Sequence, residues 1–371
     1  MPASSRKPSL AILGTRGIPA RYGGFETFAE QLATGLIGEG VAVTVFCESA
    51  ASLPDSSYKG VSLIHVKARR IGPARTILLD LVGLWKARRD FDVVYLLGYG
   101  AAWGCWLPRL WGTVVWINPD GVEWARPKWG GIARLYFRAM EWCACHFCSR
   151  IIADSDSIEK HLRARHKISK PMSVIAYGAR PTKTEPSNDY PASLGLTKHG
   201  YYLMVCRLEP ENHVLEMIRG FTKSKTERSL IILGDHDTGT RYVAELLKQA
   251  CDRVRFLGTD FDPERLTALR YWAFAYCHGH SVGGTNPSLL EAMACGSATI
   301  AHDNPYNREV AGESADYFDT AESFADCVAR LEGDTARWAS ARDAARLRMS
   351  AYTWPGIVTA YRQLLLPEEE D

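Results

Sequence analysis

Apolar positions along this chain alternate between two rhythms. Short, nearly continuous apolar runs recur, each of the kind that predicts a parallel strand buried on both faces. In the first half they fall at 10–14, 42–47, 61–66, 93–97, 114–117, 151–153 and 173–176. Between several of them the apolar positions change to helical spacing, as at 27–37, 76–88 and 132–147. That alternation predicts a parallel sheet covered by helices on both faces. Residues 181–198 break it with Pro, Ser, Thr, Asn and Lys and read as a linker. The rhythm then restarts, with strands expected at 201–206, 230–233, 254–257, 274–277, 298–302 and 317–318. Helices are expected at 214–222, 242–251, 263–271, 287–294 and 336–348. A last helix, 355–366, follows Tyr352 and Trp354, and an acidic tail ends the chain. The expected fold class is α/β, with two doubly wound, Rossmann-like domains. They occupy 1–182 and 199–351, joined by a linker at 183–198 and followed by a C-terminal helix within 352–371.

Composition adds four points. The chain has 371 residues, 46% of them hydrophobic, enough for more than one core. No apolar run is long enough to span a bilayer, and residues 1–9 lack an apolar signal core, so a cytoplasmic protein is expected. Ten cysteines without a framework of spacings read as reduced thiols. The net charge of +2 hides an asymmetry: residues 1–180 hold 24 Lys/Arg against 14 Asp/Glu, leaving an acidic second half. A basic first half is expected to meet a membrane surface, a lipid phosphate or a nucleic acid.

The chemistry gathers at strand ends. After the strand at 274–277 comes His278-Gly279-His280-Ser281-Val282-Gly283-Gly284-Thr285-Asn286, then Pro287 and a helix. Gly283 and Gly284 let the backbone approach a ligand, and the helix start presents free N–H groups to an anion. Glu291, one turn in, suits ribose hydroxyls; the competing reading is a strand–helix turn with a solvated Glu. After the first strand, Gly14-Thr15-Arg16-Gly17 leads to Arg21-Tyr22-Gly23-Gly24 before a helix. This is neither the dinucleotide fingerprint nor a P-loop, but Gly23 and Gly24 can pass close to a pyrophosphate or a sugar. Asp120 and Glu123 follow another strand end and are candidate acid/base or acceptor ligands, with turn chemistry the alternative for Pro119-Asp120-Gly121. Arg207, beyond the strand at 201–206, is placed to meet phosphate or to pair with Glu209 or Glu211. Cys143-Ala144-Cys145-His146-Phe147-Cys148 lies in a helical pattern and reads as structural thiols, while Asp154-Ser155-Asp156 and Asp235-His236-Asp237 read as helix caps. No metal site is expected. Basic and aromatic residues interleave at Arg70, Arg75, Lys86 and Arg88, and again at Trp124, Arg126, Lys128, Trp129 and Arg138. That suits an anionic bilayer, single-stranded nucleic acid or an ordinary amphipathic surface.

These features together resemble a GT-B glycosyltransferase of retaining family 4. The phrases that carry the resemblance are Gly-Thr-Arg-Gly-Ile-Pro-Ala-Arg-Tyr-Gly-Gly-Phe-Glu-Thr, Arg-Leu-Glu-Pro-Glu-Asn and Gly-His-Ser-Val-Gly-Gly-Thr-Asn-Pro-Ser-Leu-Leu-Glu-Ala-Met. They are most similar to the branch holding bacterial rhamnosyltransferases of capsule and cell-wall polysaccharide assembly. The resemblance implies a central cleft and a final helix that crosses back to the first domain. It implies a nucleotide-sugar donor on the second domain as co-substrate, with no resident cofactor and no metal. Donor contacts would fall to Gly23, Gly24, Asn212, His213, Gly283, Gly284, Thr285, Asn286 and Glu291. Arg207, Asp120, Glu123 and His280 would act at the reacting bond. The expected donor is dTDP-L-rhamnose, with a UDP- or GDP-hexose as the alternative. The expected acceptor is a lipid-linked saccharide at the cytoplasmic face of an anionic membrane, without nucleic acid; a nucleic-acid-binding protein using the basic half is the outside alternative. Two departures stand out. Asn212 and His213 occupy positions where the wider family has a phosphate-facing Lys, and Gly283 stands where its paired-Glu motif has the first Glu, with His280 or the 283–286 amides as substitutes.

Overall fold

The computed structural model describes residues 7–20, 23–49, 55–67 and 74–366. The chain divides into two compact units: Met1–Ala125, Trp129–Tyr177 and Trp354–Asp371 make the first, and Arg126–Lys128 with Gly178–Thr353 the second.

The first unit is built on β1 (Ser9–Leu13), β2 (Ala42–Glu48), β3 (Ser57–Tyr58), β4 (Val61–Val66), β5 (Val93–Leu97), β6 (Val114–Asn118), β7 (Arg150–Ala153) and β8 (Met172–Val174). They form one sheet in the order β3-β4-β2-β1-β5-β6-β7-β8, parallel throughout except at the short β3–β4 pair. Strands β1 and β5 are buried at every position, as central strands covered on both faces must be. The unit's helices are α1 (Gly24–Gly38), α2 (Ala74–Ala87), α3 (Trp106–Arg109), α4 (Gly131–Phe147) and α5 (Asp156–Arg165). Ser155 caps α5 by accepting from the Ile158 amide at 3.2 Å.

The second unit runs α6 (Asp189–Ser193), β9 (Tyr201–Val205), α7 (Val214–Lys223), β10 (Ser229–Leu233), α8 (Arg241–Gln249), β11 (Val254–Phe256), α9 (Pro263–Trp272) and β12 (Ala275–His278). It continues with α10 (Pro287–Ala294), β13 (Ala298–His302), α11 (Pro305–Ala311), β14 (Ala315–Phe318), α12 (Ala321–Gly333) and α13 (Thr335–Arg348). Its sheet is wholly parallel, in the order β11-β10-β9-β12-β13-β14. The stretch 183–198, read from composition as a linker, packs on this unit. The Trp272 indole donates to the Pro186 carbonyl at 3.2 Å, and the Tyr190 hydroxyl to Asp260 at 2.8 Å. Its polar composition hid the anchoring role of Tyr190. The last helix, α14 (Trp354–Leu365), lies in the first unit, where the Tyr361 and Tyr95 hydroxyls meet at 2.7 Å inside the core.

Strand order locates the functional ends. In each sheet the order reverses at one point, between β1 and β5 in the first and between β9 and β12 in the second. Loops at the carboxyl ends of the strands flanking such a point open a crevice where ligands bind in α/β sheets. The glycine-rich stretch after β1 and the 279–286 loop after β12 both leave from these points.

Candidate functional site

In the second unit the loops after β9 and β12 are laced together. Gly279 is required, because a Cβ there would run into the carbonyl oxygen of Asn212. The Ser281 amide donates to the Glu211 carbonyl at 3.0 Å, and the Ser281 hydroxyl lies 3.0 Å from His213 Nε2. Asn212 donates through Nδ2 to the Arg207 carbonyl at 2.7 Å, which leaves its Oδ1 to face His280 Nδ1 at 2.9 Å. From the far side, Asn304 and Asn307 donate to the His280 carbonyl at 3.1 and 2.9 Å. Arg207, Asn212, His213 and His280 are thus brought to one place by two loops 67 to 73 residues apart, a closeness that β9–β12 adjacency creates.

The glycine loop ends on α10. Gly283, at φ 151°, Gly284 and Thr285 are buried, and Asn286 caps the helix by accepting from the Ser288 amide at 3.0 Å. Pro287 fills the first helical position, where its missing N–H costs nothing. Glu291 is not simply solvated. It pairs with Arg270 of α9 at 2.6 Å; Arg270 is buried, whereas the Glu291 side chain stays 37% exposed. The buried guanidinium therefore fixes one carboxylate oxygen and orients the group. Spacing could not reveal Arg270, although one Arg set among Leu266, Ala268, Leu269 and Trp272 is the available signal.

Four histidines crowd the same strand ends. His213 stacks on His302 with centroids 3.9 Å apart, and His278 is buried with no partner for Nε2. Burial, with His302 nearby, pushes the His278 imidazolium down to about 3. Burial, with His213 adjacent, brings His302 to about 4. Burial and the charges of Arg126 and Arg207 hold His280 well below its ordinary value, and burial also lowers His213. All four are neutral at pH 7, so they offer hydrogen bonds and not charge. Arg207 is more than half exposed and lies 3.5 Å from Glu209. Arg126 and Lys128 pair with Glu211 and Glu209 at 3.3 and 3.2 Å. Among the described residues no group of His, Cys, Asp or Glu has the arrangement to hold a metal ion.

Most of the remaining sequence candidates lie in the first unit. Gly23 precedes α1 in extended conformation and Gly24 opens the helix, while Arg21 and Tyr22 fall outside the described residues. The loop before them is fixed by carboxylates: the Arg16 amide donates to Glu26 at 3.2 Å and the Ala20 amide to Glu30 at 2.8 Å. Beneath it lies Asp80, which sequence reading did not single out; burial raises its carboxyl to about 8 against one hydrogen bond from the Gly14 amide. Asp120 sits in a left-handed turn, φ 56°, its amide donating to Asn118 at 2.7 Å, so the turn chemistry is present. Glu123 accepts from the Trp129 indole at 2.9 Å. Trp124 is anchored by its indole donating to buried Glu141 at 2.7 Å. The basic and aromatic residues expected on one lipid-facing surface do not share one environment. Arg126 is buried, Arg75 pairs with Glu48, Arg70 is outside the described residues, and Lys86 and Arg138 remain exposed.

Comparison with known proteins divides the chain at the same place. Residues 187–348 match the family model described as glycosyl transferases group 1, and residues 7–180 match a domain of unknown function, DUF1972. No curated protein sequence matches the chain. Among solved structures, sucrose-phosphate synthase from Thermosynechococcus elongatus is 18% identical, with 97% of this chain and 98% of that one covered, at a TM-score of 0.82. Anabaena HepE in complex with UDP-glucose is 16% identical over 97% and 99% of the chains, at 0.76. The α,α-trehalose-phosphate synthase of Burkholderia xenovorans, in complex with glucose-6-phosphate, is 12% identical over 96% and 99%, at 0.71. The chain has the GT-B type of fold, and its second unit is the part that matches the glycosyl transferases group 1 model.

Proposed function

We propose that the protein transfers a sugar from a nucleotide-sugar donor, dTDP-L-rhamnose, onto a lipid-linked saccharide in polysaccharide biosynthesis. The reaction proceeds with retention and without a metal, at the cytoplasmic face of the membrane. The observation that carries the reading is the laced pair of loops after β9 and β12, with Arg207 exposed beside the glycine loop and Glu291 oriented by Arg270. Its position in a glycosyl transferases group 1 domain supports the donor class.

The chemistry follows from charge. Breaking the sugar–phosphate bond leaves negative charge on the diphosphate and positive character on the sugar. Arg207 and the start of α10, with the 283–286 backbone, stabilise the leaving group. The outward part of the Glu291 carboxylate takes ribose hydroxyls. Neutral His280 and Asn212 hydrogen-bond to the donor, and the acceptor proton passes to the departing phosphate on the same face. Asp120 and Glu123 orient the acceptor. A UDP-hexose donor is the second reading, favoured by the likeness to HepE solved with UDP-glucose.

Thermal shift with a series of nucleotides and nucleotide sugars tests this, because bound ligand raises stability by mass action. dTDP and dTDP-L-rhamnose should give the largest shifts, weakened about ten- to hundred-fold in affinity by Glu291→Ala. A larger shift with UDP-glucose selects the second reading. No shift with any nucleotide rejects the donor site.

A further inference from the structure

The outer surface of the first unit differs from that of the second. Helix α4 turns Met140, Cys143 and Ala144 into the core. On its other side Ile132, Leu135, Ala139 and Trp142 follow one helical stripe into solvent, with Ile132 90% and Leu135 69% exposed. A helix normally gives that side to charge. The same helix packs beside the segment 100–111. There the Tyr136 hydroxyl donates to the Gly100 carbonyl at 2.6 Å and Arg109 to the Phe147 carbonyl at 3.0 Å. From this segment Trp103, Trp106 and Leu110 point outward, Leu110 66% exposed. Trp111 meets Trp85 of α2 edge-on at 6.5 Å, and the Arg88 guanidinium lies 3.9 Å above the Trp85 ring. In the second unit the large exposed apolar residues among those described are Leu247, Phe261 and Leu347, on three separate elements. Single exposed residues are ordinary; a contiguous patch marks an interaction surface.

Charge decides the partner. Residues 98–119 and 124–140 contain no Asp or Glu, while Arg109, Arg134 and Arg138 are exposed along the stripe. A second copy of the same face would set arginine against arginine with no carboxylate in these segments to answer. An anionic partner is required, and one that accepts branched aliphatic side chains and tryptophan over a broad area. An indole ring, apolar with one polar edge, and an arginine with a long apolar stem both suit the boundary between headgroups and acyl chains.

We propose that α4 and the 102–111 segment seat the protein on an anionic lipid bilayer. Ile132 and Leu135 enter the acyl boundary, the tryptophans lie at headgroup depth, and Arg134 and Arg138 meet lipid phosphates. This rests on the reading of a lipid-linked acceptor and gives that reading a place in the fold, but lipid binding is measured without donor or acceptor, so the two fail separately.

The test is flotation of the full chain with vesicles of phosphatidylcholine, alone or mixed with phosphatidylglycerol. Binding is expected to the mixed vesicles and to weaken with salt. Arg134→Gln and Arg138→Gln should each weaken it about fivefold, and Ile132→Ser and Leu135→Ser about tenfold each. These side chains are exposed, so circular dichroism and thermal melting should match the unsubstituted protein. Leu247→Ser, in the second unit, should float unchanged. Absence of flotation with both vesicles overturns the proposal. So does flotation that the α4 variants leave intact, or dimerisation in sedimentation that Leu135→Ser abolishes.

Discussion

Glu141 and His278 are both buried polar side chains, and the two units treat them in opposite ways. Glu141 is surrounded by donors: the Trp124 indole at 2.7 Å, His166 at 2.8 Å, Arg165 at 3.1 Å and His161 at 3.2 Å. Burial alone would raise its carboxyl, but the hydrogen bonds from His161, His166 and Trp124 outweigh that and hold it at about 2. His278 is buried to a similar degree, yet its Nε2 has no partner and the ring is kept neutral. A fully satisfied buried charge fixes structure; here it ties the segment after β6, through Trp124, onto α4 and α5. In the second unit a buried polar atom with unused capacity sits among neutral histidines. The first cluster holds a loop, and the second leaves hydrogen-bonding capacity at a strand end where ligands bind.

The largest effect should come from breaking the satisfied cluster. Glu141→Ala leaves His166 and the Trp124 indole without their acceptor, and should cost about 3 kcal/mol in urea unfolding. A loss below about 1 kcal/mol would show that the cluster is not a structural staple. Arg207→Ala tests the other side. With the side chain exposed, stability should hold, while kcat should fall about ten- to hundred-fold and more than donor KM rises. Arg207→Lys should recover little, because the fork geometry is lost. An unfolding midpoint that drops as far as in Glu141→Ala would erase the distinction between the two regions.

Acid separates the clusters by pH window. His278 and His302 bind protons more weakly folded, at about 3 and about 4, than at the ordinary 6.5. Their contribution is fully present above pH 6.5 and is lost as pH falls through the folded values. Glu141, ordinarily at 4.5 and here at about 2, begins to lose its contribution only below pH 4.5. Calorimetry between pH 6.5 and 4.5 should therefore show the second unit weakening while the Glu141 contribution is constant. A His278→Gln variant should flatten that slope, and an unchanged slope would mean the histidine is not the group responsible. The smallest effect is expected at the helix cap: Asn286→Ala should cost about 1 kcal/mol, read as faster amide exchange at Ser288. Unchanged exchange there would mean that Pro287 alone fixes the helix start.

The two doubly wound sheets were legible from the chain because their signal is local. Runs such as 93–97 and 230–233 are apolar at successive positions, as a strand covered on both faces requires, and β5 and β10 form there. The glycine loop before α10 was equally legible, since Gly-Gly followed by Asn-Pro states a close turn and a helix start within a few residues. The resemblance to glycosyltransferases rested on the same kind of local signal and could place Arg207 and His280 beyond strand ends and Glu291 one turn into a helix.

Partnership was decided elsewhere. Arg270 holds Glu291 only because α9 packs beside α10. His213 stacks on His302 because β13 follows β12 across the sheet, and Tyr190 and Trp272 turn a polar stretch into part of a core. The basic and aromatic residues of the first half were visible as a composition, but burial separated Arg126 from Arg138 and exposed Ile132 and Leu135 instead. Periodicity along one chain reports which face of an element is apolar. It does not report which other element covers that face or whether any does, because that depends on contacts between residues far apart in sequence.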